Sequence, residues 1–362
     1  MTNRERLIRT VQFQPVDELP FRLAFGLMPG VLEDWHAEGL PAAVRTQADV
    51  FAHFRFPPRG ADALPIHAGP FPPFEARVLE ETDAYRIATD DLGRTTKVIH
   101  AVATLPAPLD FPVKDAGTWQ AYKERLQFSQ DRVGPDLEAA AARNVAAGRI
   151  NAFRGLGFFW FLCELMGDEN LCIAYYERPE LVHDMLATIC AMFEQTLEAA
   201  LARVRLDQVW LGDNIAYNNA SMVGKRIFDE FVGPYYTRIG NLVRRHKVPI
   251  FMADSGGCLR ELVYWFSECG VNFIGANDPQ AGNDIVEYRK LFGRKMAYDG
   301  GLDKLVLTQG RAAIDRMLDR TIPFMKETGG GWFVCLDHRV VRGTPLADFQ
   351  YFVDRVREMI RY

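Results

Sequence analysis

The chain has 362 residues, 48% of them hydrophobic and 25% charged, with a formal net charge of -5. That composition can bury a large core, and its acidic balance excludes a protein whose main partner is nucleic acid. No apolar run approaches the roughly 20 residues that span a bilayer, so no membrane partner is expected. The six cysteines (163, 172, 190, 258, 269 and 335) contain no Cys-x-x-Cys pair, so buried free thiols are expected rather than a disulfide framework.

The start, Met1-Thr2-Asn3-Arg4-Glu5-Arg6, reads as a charged helix over 1–12 rather than a signal peptide, which makes the cytoplasm the expected location. Pro15 and Pro20 bracket a turn, and Phe21 to Phe25 reads as a first strand. Residues 31–80, rich in Pro, Gly and aromatics without a clean period, read as an irregular cap with short helices; Ala48–Phe54 is a candidate for a further strand. Residues 84–89 and 95–99 flank Asp90-Asp91-Leu92-Gly93, a β-hairpin signal because Asp and Gly supply the turn geometry. Helices are predicted over Thr118–Leu126, Pro135–Ala147 and Pro179–Val204.

From residue 149 onward the pattern repeats. Apolar runs at Ile150–Arg154, Gln208–Leu211, Val248–Ala253, Phe273–Ala276, Met296–Tyr298 and Trp332–Leu336 end in Gly, Asp, Asn or His and alternate with helical stretches. Strand, polar terminus and helix in repetition predict an α/β fold, specifically a single (β/α)8 TIM barrel of parallel strands over 1–362. Residues 1–148 supply the cap, an external hairpin and the first strands, and 149–362 the main barrel. A doubly wound open sheet is the alternative, but it would normally carry a Gly-rich phosphate fingerprint after an early strand, and none is present.

In such barrels the chemistry sits where strand C-termini converge. Asp254 and His338 end different strands and suit acid–base work or metal ligation; Asp254 could equally be a helix N-cap. Asp213-Asn214, followed by Tyr217, groups carboxylate, amide and phenol for a polar substrate, or makes a polar turn. Asn277 also follows a strand, and Trp160 lies in the aromatic run Phe158–Phe161, which is either mouth or core. Arg154 and Arg22 are candidate carboxylate binders or structural ion pairs. Asp299 and Asp303 around Gly300-Gly301 make a tight turn that could face an anion. Cys335 and His338, three apart, point oppositely on a continuous strand, so no three-ligand zinc site is written plainly.

The order of these segments resembles the uroporphyrinogen decarboxylase superfamily, which includes corrinoid-dependent methyltransferases. The resemblance rests on Arg4-Glu5-Arg6 leading to Pro15–Pro20, Asp91-Leu92-Gly93, Gly212-Asp213-Asn214-Ile215, Pro249–Gly257, Gly300-Gly301-Leu302-Asp303, Asp337-His338-Arg339-Val340 and Thr344-Pro345-Leu346. It implies a (β/α)8 barrel. The decarboxylase's arginine-rich segment corresponds to 21–30, which holds only Arg22; its active-site tyrosine corresponds to Cys163 and its C-terminal histidine to His338. The thiol-activating zinc ligands of the methyltransferases correspond to Asp254, Gly256 and His338, so that site is altered or lost, with Asp254 and His338 the remaining metal candidates. The resemblance thus implies an enzyme moving a methyl group between a small methylated substrate and a corrinoid held by a partner protein. Asp254, His338 and Asp213 are the expected catalytic residues, and Asn214, Arg154, Tyr217, Asn277 and Trp160 the expected substrate contacts. A cofactor-independent decarboxylase of a tetrapyrrole or other polycarboxylate is the alternative, a non-catalytic tetrapyrrole or corrinoid carrier is a third class, and a homodimer is an open expectation.

Overall fold

The computed structural model describes residues 1–57, 64–100 and 106–362. Four antiparallel strands come first: β1 (Arg77–Glu81), β2 (Tyr85–Thr89), β3 (Thr95–Ile99) and β4 (Ala107–Asp110), paired in that order. Six parallel strands follow: β5 (Ala152–Leu156), β6 (Gln208–Gly212), β7 (Ile250–Asp254), β8 (Phe273–Gly275), β9 (Ala297–Asp299) and β10 (Trp332–Phe333), each hydrogen-bonded to the next. Helices occupy every connection between them, as an α/β fold requires.

Both faces of the parallel sheet are buried, and strand periodicity separates them. Ile250, Met252, Phe273, Ala297 and Phe333 point to one side and pack with Ile150 and with Leu7 and Val11 of the first helix. Phe153, Val209, Leu211, Phe251, Ala253, Ile274, Tyr298 and Trp332 point to the other side, into the larger core shared with the surrounding helices. The first helix, Asn3–Val11, is capped by Thr2. It is pinned beneath the strands by Arg4, whose guanidinium donates to both oxygens of Asp207 at 2.9 and 2.5 Å. Buried Asp207 also accepts from the Asn151 N–H at 2.9 Å, so one carboxylate ties the helix to the starts of two strands.

Two local expectations change. Ala48–Phe54 is not a strand but most of the helix Gln47–His53, because Thr46 and Asp49 form a reciprocal capping box that nucleates it. Phe21 to Phe25 makes no full strand; Phe21 bridges Val334 and Leu27 bridges Val340, both in parallel. The hairpin forms as expected, with Tyr85 opposite Ile99, but it is the centre of a four-stranded sheet. Its turn is held by Asp90, whose carboxylate accepts from the Leu92 and Arg94 N–H groups, and Arg94 reaches back to Glu164 of the body. Among the described residues no helix is long and apolar enough to cross a membrane.

Candidate active site

The inward positions at the strand C-termini carry the polar groups. In register lie Leu156, Gly212, Asp254 and Gly275. The two glycines make room: a Cβ on Gly212 would meet the Trp210 ring at 2.5 Å, and one on Gly275 would meet Met252 Cε at 2.7 Å and Asp254 Oδ1 at 3.0 Å. Asp254 therefore stands between a laid-down indole and a thioether. It lines a cavity of about 280 Å3 with Arg22, Phe25, Arg154, Trp210, Met252, Phe273, Asp299 and Phe333 among its walls.

The cavity's charges are unequally committed. Arg22 binds both carboxylate oxygens of Asp299, and its guanidinium lies 5.3 Å from the Phe333 ring. Asp299 also accepts the buried Cys335 thiol at 3.0 Å, and its strand end is held by Asn277, whose amide donates to the Asp299 carbonyl at 2.8 Å. Among the described residues the Asp254 carboxylate accepts one hydrogen bond, from the Trp210 indole N–H at 3.2 Å. Burial, then the neighbouring Asp299 charge, push its carboxyl up to about 6, against the opposing pull of Trp210, Arg22 and Arg154. Arg154 rises from β5 with its guanidinium over the Trp210 ring, 5.6 Å from the centroid.

The three expected catalytic residues do not share this space. Asp254 lines the cavity. Asp213 lies one residue beyond the inward position and turns to the helix face, fully buried. There it accepts from the Trp160 N–H at 2.6 Å, the Phe159 N–H at 3.4 Å and the Tyr236 hydroxyl at 2.9 Å. It caps the helix Phe158–Met166, whose first N–H groups have no partner of their own. Its fit is so close that a Cβ on Gly157 would fall 2.2 Å from Asp213 Cβ. Burial raises its carboxyl to about 6 as well, with those three hydrogen bonds opposing. Asp213→Ala should cost about 2–4 kcal/mol, from a lost cap and stranded N–H groups, whereas Asp213→Asn, which keeps an acceptor, should cost much less. Urea midpoints measure both. Because a raised carboxyl favours the folded state only while protonated, wild-type stability gains this contribution below the unfolded value near 4 and loses it as pH rises through about 6; Asp213→Asn removes that slope.

His338 is exposed at the rim, its ring stacked on Phe25 at 5.0 Å between centroids. Burial on its other side, then Lys304 and Arg339, lower its pKa. The preceding Asp337 is buried and bound to the Lys304 ammonium and, at 2.8 Å, to the Lys304 N–H, which fixes the turn. Asn277 is fully buried and joins strand ends rather than facing the cavity. Asn214 and Tyr217 are exposed, and Trp160 is half-buried against the helix core. Cys163 is buried in that core too.

Arg22 and Asp299 carry more of the site than their sequence context suggests. Their signal is phase: Asp299 repeats with inward Ala297, as Asp254 does with Ile250 and Met252. As for zinc, Asp254 and His338 lie in the cavity and on its rim. Among the described residues no group of three or more His, Cys, Asp or Glu side chains is placed to hold a metal. Zinc takes three protein ligands even in open catalytic sites, so this donor set does not fit it.

No curated protein sequence matches the chain. A solved structure, a methyltransferase from Methanosarcina mazei, superposes with a TM-score of 0.58 at 12% identity, covering 99% of both chains, which is a likeness of fold. The family described as Uroporphyrinogen decarboxylase (URO-D) matches residues 157–359, a span that begins at the helix capped by Asp213 and takes in β6 to β10. With more than half its length so matched, the chain belongs to the uroporphyrinogen decarboxylase family.

Proposed function

We propose that the chain is a methyl-transferring enzyme, which holds a small methylated substrate beside Asp254 and passes its methyl group to a corrinoid carried by a partner protein. The observation that carries the reading is the half-buried Asp254 carboxyl, which lines the cavity and accepts one indole hydrogen bond; burial and the Asp299 charge raise it to about 6. Family membership supports an enzyme, and the fold shared with a methyltransferase is consistent with this branch. The reading takes the sheet as a closed (β/α)8 barrel. In support, Ile150 and Arg154 from one edge, Phe333 from the other and residues 20–25 all line one cavity.

Breaking a methyl–oxygen or methyl–nitrogen bond leaves an electron pair on the heteroatom, and that pair needs a proton. Asp299 is committed to Arg22, which leaves Asp254 to hold the proton and deliver it to the departing atom. The aromatic walls exclude water and orient the substrate. The corrinoid supplies the nucleophile that takes the methyl group.

Decarboxylation is the second reading, favoured by two guanidiniums in the cavity. A volume of about 280 Å3 lies at the lower edge of small-molecule pockets, roughly 300–1,000 Å3. A tetrapyrrole with eight carboxylates would need more room and more cations. The test supplies reduced corrinoid with methyl ethers and amines, and separately uroporphyrinogen. Methyl transfer is expected, with kcat/KM falling as pH rises through about 6 because the acid form of Asp254 is lost. Turnover of uroporphyrinogen by the wild-type protein would overturn the reading and promote the alternative.

A further inference from the structure

We propose that the cavity takes a small monocarboxylate with a flat, apolar body, and that Arg154 is the residue that grips its carboxylate. This rests on the reading of that cavity as the reaction site and names its substrate class. Two guanidiniums face the space. Arg22 is occupied by both oxygens of Asp299. Arg154 lies over the Trp210 ring and feels the charge of Asp254, but among the described residues no carboxylate is placed to form an ion pair with it. Arg154 is exposed to that space with its donors open, and its planar fork matches a carboxylate's two oxygens.

The surroundings narrow the ligand further. Asp254 and Asp299 line the same space, so a dianion would be repelled, while a cationic ligand would meet Arg154 and Arg22. An uncharged ligand would offer the Arg154 fork no bidentate acceptor. Phe25, Trp210, Met252, Phe273 and Phe333 offer flat or soft apolar walls for the rest of the molecule.

A carboxylate seated on Arg154 also acts on Asp254, which faces Trp210, Arg22, Arg154 and Asp299. The incoming negative charge competes with Asp254 for the arginines and disfavours its ionised form. Ligand binding should therefore draw a proton onto Asp254, loading the acid as the substrate arrives.

Titration calorimetry tests this with benzoate, 4-methoxybenzoate, cinnamate and propionate, and with 4-methoxybenzyl alcohol as the uncharged counterpart. We expect at least one carboxylate to bind wild-type protein at least 10-fold more tightly than the alcohol. Arg154→Met should weaken that carboxylate 10- to 100-fold and leave the alcohol within about twofold, with an unchanged urea midpoint. Arg154→Lys should recover part of the loss. Repeating the titration in buffers of different ionisation enthalpy at pH 7 should show proton uptake, absent in Asp254→Asn. Equal binding of acid and alcohol, an Arg154→Met affinity within twofold of wild type, or no binding of any of the four acids would each overturn the proposal. Benzoate has no methyl group to give. Arg154-dependent benzoate binding without methyl transfer from any donor would therefore sink the reaction and leave the carboxylate grip standing.

Discussion

Asp254→Asn should lower methyl transfer by about 10²–10⁴, the usual worth of a positioned proton donor. The substitution is nearly isosteric, and its amide oxygen can still accept the Trp210 indole N–H that Asp254 accepts at 3.2 Å. Gly212 and Gly275 leave the same space on either side. Folding should therefore be intact, with a urea midpoint close to wild type, while the proton is gone. The defect should shrink for donors whose leaving atom is stable without protonation, because these need no acid. Turnover within about threefold of wild type on an ordinary methyl ether would remove Asp254 from the chemistry. The pH profile of the variant should also lose the fall near 6 expected of the parent.

Arg22→Met should be the most damaging single change to stability among the charged residues of the cavity, at about 2–3 kcal/mol. Asp299 is buried and accepts both bonds from Arg22, so removing the cation leaves a carboxylate with the Cys335 thiol as its remaining side-chain partner. Breaking a fully buried pair typically costs about 3–5 kcal/mol. The lower figure reflects the Arg22 side chain, 30% of which is exposed. Arg22→Met combined with Asp299→Asn should recover much of the loss, since no unpaired charge remains. A double variant as unstable as Arg22→Met alone would mean that the packing of Arg22 on Phe333, rather than its charge, holds the segment.

Much of the architecture is legible along the chain because it is local. The six parallel strands announce themselves as short apolar runs ending in polar residues, and the hairpin through Asp90 and Gly93, whose turn chemistry admits few other structures. Ala48–Phe54 is the instructive miss. Its apolar residues fit a strand as well as a helix, and the capping box at Thr46 and Asp49 decides between them. The segment 21–25 is a second: apolar and strand-like, it finds single bridges to Val334 and, just beyond it, from Leu27 to Val340 instead of a continuous ladder.

The site divides along another line. That polar groups gather at strand ends follows from the alternation of elements, so Asp213, Asp254 and His338 were all visible as candidates. Which of them faces the cavity was not. Gly212 and Asp254 are paired in register, and successive side chains on a strand point to opposite faces. A carboxylate at position 254 therefore enters the cavity, while one at 213, a single residue past its strand's inward position, is turned into the helix layer to serve as a cap. The partner of Asp299 lies 277 residues away in sequence, at Arg22. By itself the chain determined the elements, their order and the acids at their ends, because those depend on neighbours within a few residues. Register, facing and the pairing that leaves Arg154 and Asp254 uncommitted were decided only by the tertiary structure, because they depend on how strands distant in sequence line up side by side.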